Sequence, residues 1–196
     1  MKANYNHMKK LVFITLLFAS SAMAIGGSSV NYEHKAIHKT LIKTCKLINP
    51  ELLEMNIPTE VSSKMEGKFF NIQSDNTNSE ITHCYIGRVN SCRAGGCSAP
   101  SANPIGGDSE YFDYMVFYNH KHEVVLVKVF NYQASHGHEV TAKGWLKQFI
   151  GYDGKDEKLE VGRNIDSISG ATISVNGITS DIENKTKILE SLAQKS

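Results

Sequence analysis

The last helical pattern of the chain sets the terms for everything before it. Val175, Ile178, Ile182, Leu189 and Leu192 recur at three- and four-residue intervals, with Lys185 as the single polar break, so a helix beginning just after Thr172 carries one apolar face. Such a face needs a partner surface, and the upstream sequence offers strands. Segments 67–73 and 80–89 read as strands around the turn residues Ser74-Asp-Asn-Thr-Asn78. Tyr111 to Tyr118 and Val124 to Tyr132 are rich in β-branched and aromatic residues and flank Asn119-His-Lys-His122, the clearest hairpin of the chain. His34 to Ile48 reads as a second amphipathic helix, with Ile37, Leu41, Ile42, Cys45 and Ile48 on one side. Asn49-Pro50 ends it, because the residue before proline is pushed out of the helical region. Thr141 can cap a short helix over 142–150 that Gly151 stops, although Gly144 weakens it. Residues 158–161 suggest one more strand, and Leu52 to Thr59 is ambiguous. The order of these elements predicts a single α+β domain, with a mainly antiparallel sheet flanked by helices.

The N-terminus reads as an address. Lys2, Lys9 and Lys10 precede the apolar run Leu11 to Phe18, and Ala22-Met23-Ala24 is a small-x-small cleavage site, the pattern of a secretory signal over 1–24. Met8 is an alternative start. The run is too short to stay as a membrane-spanning helix, and no later stretch is apolar for long enough, so no transmembrane anchor is expected. No cysteine follows the cleavage site, which leaves a lipid anchor unsupported. Removing 1–24 takes three lysines and no acids, and the formal charge falls from +1 to −2. Nothing in that balance suggests a nucleic-acid footprint or a polybasic segment for anionic lipid.

All four cysteines, Cys45, Cys84, Cys92 and Cys97, follow the signal. An even count in an oxidising compartment favours disulfides. Four cysteines allow three connectivities. Cys92 and Cys97 lie close together in the Gly-, Ser- and Pro-rich stretch 90–109, so the favoured pairing is Cys92 with Cys97, which leaves Cys45 and Cys84 available as a second pair. A zinc site is disfavoured: Cys92-x4-Cys97 is not the C-x2-C of a zinc ribbon, and no metal site is expected.

The segment Asp166-Ser-Ile-Ser-Gly-Ala-Thr172 leads directly into the last helix. Small residues let a phosphate-bearing ligand approach the backbone, and a helix start offers free N–H groups and the positive end of the macrodipole. On spacing alone this is a capped helix preceded by small residues. The literal string resembles the D-x-x-S-G-A-T acceptor motif of the FMN-binding domain family, with Asp166, Ser169, Gly170, Ala171 and Thr172 at the fixed positions. That family includes subunits of ion-pumping quinone reductases and of ferredoxin-linked complexes, together with soluble and membrane-attached extracytoplasmic proteins. In it a flavin transferase cleaves FAD and esterifies FMN phosphate to the motif threonine. The resemblance therefore implies covalent FMN on Thr172, FAD as its donor, a flavin transferase as partner in maturation and redox proteins as partners afterwards.

It extends more loosely from about Tyr111 to the C-terminus. The implied division is a signal over 1–24, an N-terminal helix, hairpin and cysteine loop over 25–109, and an FMN-binding core over 110–196. The chain departs from the family in two ways. Pumping-complex members carry an N-terminal transmembrane anchor where this chain has a cleavable signal. Many members also read His-x-Glu followed by a Pro-Gly-Leu-Gly run, where this chain has His136-Gly-His-Glu-Val-Thr-Ala-Lys-Gly-Trp145. By that comparison His138, Glu139, Lys143 and Trp145 are candidate flavin contacts. Read as residues, Trp145 and Phe149 share a helix face, more often core than a flavin wall, and Lys143 is by default a solvated charge. His136-x-His138-Glu139 and His120-x-His122 are weak metal signals. No residue is assigned a catalytic role.

The expected function is extracytoplasmic, periplasmic electron transfer by an exported flavoprotein, either as a soluble carrier or as the flavin subunit of a reductase. FMN would supply the chemistry and the protein would hold and tune it. The rival reading is an exported, disulfide-stapled binding module without cofactor. A thiol oxidoreductase built on Cys92 and Cys97 lacks both C-x-x-C and a thioredoxin-like βαβ pattern. The sequence carries no G-x-S-x-G elbow, P-loop or Rossmann fingerprint.

Overall fold

A computed structural model describes residues 29–76, 79–91, 110–155 and 157–194. The signal segment, Cys92 and Cys97 lie outside them. Five strands, β1 (Glu51–Glu54), β2 (Gly67–Gln73), β3 (Ile81–Asn90), β4 (Tyr111–Asn119) and β5 (Val124–Tyr132), form one sheet in chain order with every neighbouring pair antiparallel. With the helices on its two faces this is the expected single α+β domain. The apolar face of α4 (Thr172–Ala193) covers one side of the sheet. There Val175, Ile178, Ile182 and Leu189 join Phe69, Tyr85, Tyr114, Val116 and Val127 in the larger core. On the opposite side Ile37, Leu41 and Leu47 pack with Phe70, Cys84, Ile86, Met115 and Phe117. Residues 112–118 of β4 are all buried, because both sides of that strand are covered and the usual in–out alternation disappears.

Three buried charges interrupt these layers among the described residues, and each is answered, Glu183 by Lys187 one turn on. Asp113 on β4 is fully buried. It accepts from Arg88 Nε at 2.7 Å and Nη2 at 3.1 Å, and from Asn131 Nδ2 at 2.7 Å, the bidentate geometry that favours arginine over lysine. The Arg88 guanidinium also lies 3.5 Å from the centroid of the Tyr111 ring. Lys185, the polar break in the α4 pattern, is 4% exposed and pairs with Asp181 one turn back. Tyr114 Oη donates to the second oxygen of Asp181 at 2.6 Å.

Three expected elements are altered. The helix over 34–48 is α1 (Lys35–Lys39) followed by a π-helical turn, Thr40–Thr44. Its wider bonding, Cys45 N–H to Thr40 O and Leu47 N–H to Leu41 O, rotates later residues by about 100° for the residue gained. Ile42 is 40% exposed within that turn; beyond it Lys46 takes φ +59°, which ends the helix, and Leu47 turns inward while Ile48 stands 55% exposed. The helix over 142–150 is broken into α3 (Lys143–Leu146) between 3-10 turns at His138–Thr141 and Lys147–Phe149. Thr141 does not cap it: the N-cap is Ala142, without a side-chain bond. The strand over 158–161 reduces to one bridge, Val161 with Ile165. Glu160 O receives the N–H groups of Arg163, Asn164 and Ile165, so the chain reverses at once. Two short elements complete the chain, β1, which overlaps the ambiguous stretch from Leu52, and α2 (Thr59–Ser62).

Cys45 and Cys84 are free thiols in this structure, and the second bridge open to them is not formed. Both belong to the α1-side layer. Burial pushes the Cys45 thiol up to about 11 and that of Cys84 higher still. Thiolate, the form that enters disulfide exchange, is therefore scarce at neutral pH.

Candidate functional site

The site is assembled at the end of the sheet where β3 leaves, β4 enters, β5 leaves and α4 begins. Thr172 is the first residue of α4. Its N-cap is Ala171, at φ −121° and ψ 18°, with no side-chain cap bond. The first intrahelical bond runs from Val175 N–H to Ala171 O at 2.9 Å, so the N–H groups of Thr172, Ile173 and Ser174 lie ahead of the ladder. Thr172 is exposed, and its hydroxyl has no hydrogen-bond partner among the described residues. An accessible alcohol thus sits on the uncapped, positive end of a 22-residue helix.

The segment before it is held by alternate burial and capture. Ile165 is buried and accepts from Gly162 N–H at 2.7 Å. Asp166 is gripped through its backbone: its N–H donates to Gln148 Oε1 at 2.8 Å, and its carbonyl accepts from the indole Nε1 of Trp145 at 2.9 Å. Ile168 packs on the larger core, and Ala171, 3% exposed, closes the segment. Between these anchors Ser169 and Gly170 face solvent, and Gly170 adopts φ +78°, a conformation that glycine takes without penalty.

A second wall comes from the loop after β5. Gly137, at φ +82°, sits so close to α4 that an added Cβ would lie 2.9 Å from Ser174 Oγ and 3.2 Å from Ala171 Cβ. Ser174, 2% exposed, bonds Ser91 Oγ at 2.7 Å and so ties the end of β3 to the first turn of α4. Tyr132 stacks on Phe112 with ring centroids 5.5 Å apart and donates to His136 O. Burial holds its phenol above the ordinary value, while the neighbouring Ser174 hydroxyl works the other way.

No family model matches the chain, and a search of curated proteins finds no relative.

The expected contact residues are partly gathered. Trp145 reaches the acceptor segment directly, and its ring meets the buried Phe149 edge-on at 5.4 Å, so it serves core and site at once. His138 lies edge-on to Tyr132 at 5.1 Å and is exposed, as is Glu139. Lys143 is exposed. Its charge acts on Lys128, whose ammonium donates to Thr40 Oγ1 on the α1 side of the sheet, and no described contact brings it to Thr172. Among the described residues no group of three or more His, Cys, Asp or Glu could hold a metal ion, and no helix is long and apolar enough to cross a membrane. Sequence reasoning missed Gln148, Ser91, Ser174 and Tyr132. Only Gln148 left a signal, lying three residues after Trp145 on the same helical face.

The donor set suits a phosphomonoester headed for Thr172. Uncapped N–H groups, an unpartnered hydroxyl and a glycine-relaxed approach are all present, and the half-buried rings of Tyr132 and Trp145 offer flat apolar surface nearby.

Proposed function

We propose that this chain is an exported flavoprotein that carries FMN in phosphodiester linkage to Thr172 and serves in extracytoplasmic electron transfer. One observation carries the reading. The Thr172 hydroxyl, on the residue of the D-x-x-S-G-A-T string that begins α4, is exposed, has no partner among the described residues and stands beside uncapped N–H groups. The phosphate oxygens left after esterification would meet the N–H groups of Ile173 and Ser174. Asp166, Ser169, Gly170 and Ala171 shape the approach. Bound FMN transfers electrons singly or in pairs. The protein's part is to fix the phosphate end and offer Tyr132, His138 and Trp145 as surfaces for the ring. Covalent attachment keeps the cofactor on the protein in a compartment where free FMN is scarce. The partners would be a flavin transferase using FAD during maturation, and redox proteins afterwards.

The test is co-expression with a flavin transferase followed by denaturing gel electrophoresis. The reading expects a fluorescent band at the size of the chain, abolished by Thr172→Ala. A dark wild-type band, or fluorescence that survives the substitution, overturns it.

A further inference from the structure

The backbone of Asp166 is bonded in an unusual way. Neither its N–H nor its carbonyl is paired with other backbone. Gln148 Oε1 takes the N–H at 2.8 Å, and the Trp145 indole gives its N–H to the carbonyl at 2.9 Å. The opposite end of the Gln148 amide donates to Trp145 O at 3.0 Å, so that amide is fixed at both ends. The two side chains rise from one helical stretch that Leu146 and Phe149, 3% and 0% exposed, anchor in the core. A rigid two-pronged clamp thus seizes the first residue of the acceptor string, and burial of Ala171 fixes its other end. Between the two, Ser169, Gly170 and then Thr172 are offered to solvent.

We propose that Gln148 and Trp145 are positioning residues for flavin attachment, holding the segment 166–172 in the shape that the transferase reads. This rests on the reading of Thr172 as the acceptor. In the attachment step Thr172 Oγ bonds to the flavin-side phosphorus of FAD. The P–O bond to the AMP half breaks, AMP leaves with that electron pair, and the hydroxyl proton passes to a base of the transferase. No centre changes oxidation state. In-line attack demands close placement of Oγ. A segment already ordered spares the enzyme the entropy of ordering it on binding. Losing a prong should therefore raise KM for the acceptor protein and leave kcat at saturation unchanged.

The experiment measures flavin attachment to the full chain by a purified flavin transferase with FAD, over a range of acceptor concentrations. Gln148→Met keeps the volume and removes the acceptor, and Trp145→Phe keeps a ring and removes the donor. Each should lower kcat/KM about fivefold to tenfold, as expected for loss of one hydrogen bond, through KM and at temperatures well below unfolding. Gln148→Glu retains an oxygen for the Asp166 N–H but loses the donor to Trp145 O, so it should label faster than Gln148→Met and slower than wild type. Labelling of all three variants at the wild-type rate overturns the clamp while the Thr172 reading stands. So does a loss in Gln148→Met that Gln148→Glu does not restore in part. Absence of labelling in the wild type overturns both.

Discussion

Removing the carboxylate of Asp181 strikes the most exacting polar arrangement in the core. Lys185 is 4% exposed and Tyr114 fully buried. The Asp181 carboxylate takes the ammonium on one oxygen and the phenol on the other. The phenol is held well above its ordinary value, first by burial and then by Asp181, so it remains a donor. In Asp181→Ala the ammonium loses its counter-charge and the phenol its acceptor, while neither can turn to water without disturbing α4. Breaking a buried pair from one side costs about 3–5 kcal/mol. The Asp181 side chain is itself 22% exposed, so partial hydration should place the loss at the lower end, about 3–4 kcal/mol. For a domain of this size that lowers Tm by about 6–16 °C. Replacing all three groups together, Asp181→Leu with Lys185→Met and Tyr114→Phe, leaves no polar atom stranded and should come within about 1–2 kcal/mol of wild type. Urea unfolding followed by circular dichroism gives both numbers. An Asp181→Ala loss below about 1 kcal/mol, or a triple variant no more stable than the single one, would show that the network does not couple these groups as described.

Three further outcomes follow from the geometry. His83 meets the His122 ring at 5.4 Å, and burial, followed by the charge of His122, lowers its proton affinity. The native state therefore takes up this proton later than the unfolded chain does. Stability is full above the ordinary histidine value of about 6.5 and is lost as pH falls from there towards the lowered native value. Urea midpoints at pH 7.5 and 5.5 should show that loss, and His83→Gln should reduce it; an unchanged drop would count against the assignment. Cys45, with its thiol near 11, and the buried Cys84 should resist alkylation at pH 8 until urea unfolds the chain, as read by peptide mass spectrometry; fast labelling of either in the native protein contradicts the burial argument. Gly137→Ala must accept φ +82° and a contact 2.9 Å from Ser174 Oγ, and should cost about 1–2 kcal/mol; a neutral substitution would mean that the loop does not rest on α4.

Elements whose signal is local were legible in the sequence. Strand β5 spans Val124–Tyr132, the residues singled out by their β-branched and aromatic run, and β2 spans Gly67–Gln73 as expected. The spacing of Val175, Ile178, Ile182 and Leu189 marked the buried face of α4. What stayed hidden depends on distant partners. Nothing near Asp113 announces that Arg88, 25 residues away, makes its burial tolerable. Lys185 read as a blemish in an apolar stripe: its partner Asp181 is one turn back, but the Tyr114 phenol that shares that carboxylate lies 67 residues from it in the chain. His122 read as part of a hairpin turn and a weak metal signal, yet its Nδ1 meets Glu190 Oε2 on α4 at 3.0 Å. Ile42 lies exposed within a π-turn, which helical periodicity does not register. At the site, the motif marked Thr172. The clamp on Asp166 was invisible, since it joins residues 18 apart through backbone atoms that carry no residue-type signal.

The central claim is chemical, and intact mass reads it directly. The secreted chain, produced alongside a flavin transferase and freed of its signal, is predicted to weigh the polypeptide plus one FMN less one water. Fragmentation should place the addition on Thr172, and Thr172→Ala should return the bare mass. A wild-type chain at bare polypeptide mass, or an addition that maps to another residue, contradicts the account.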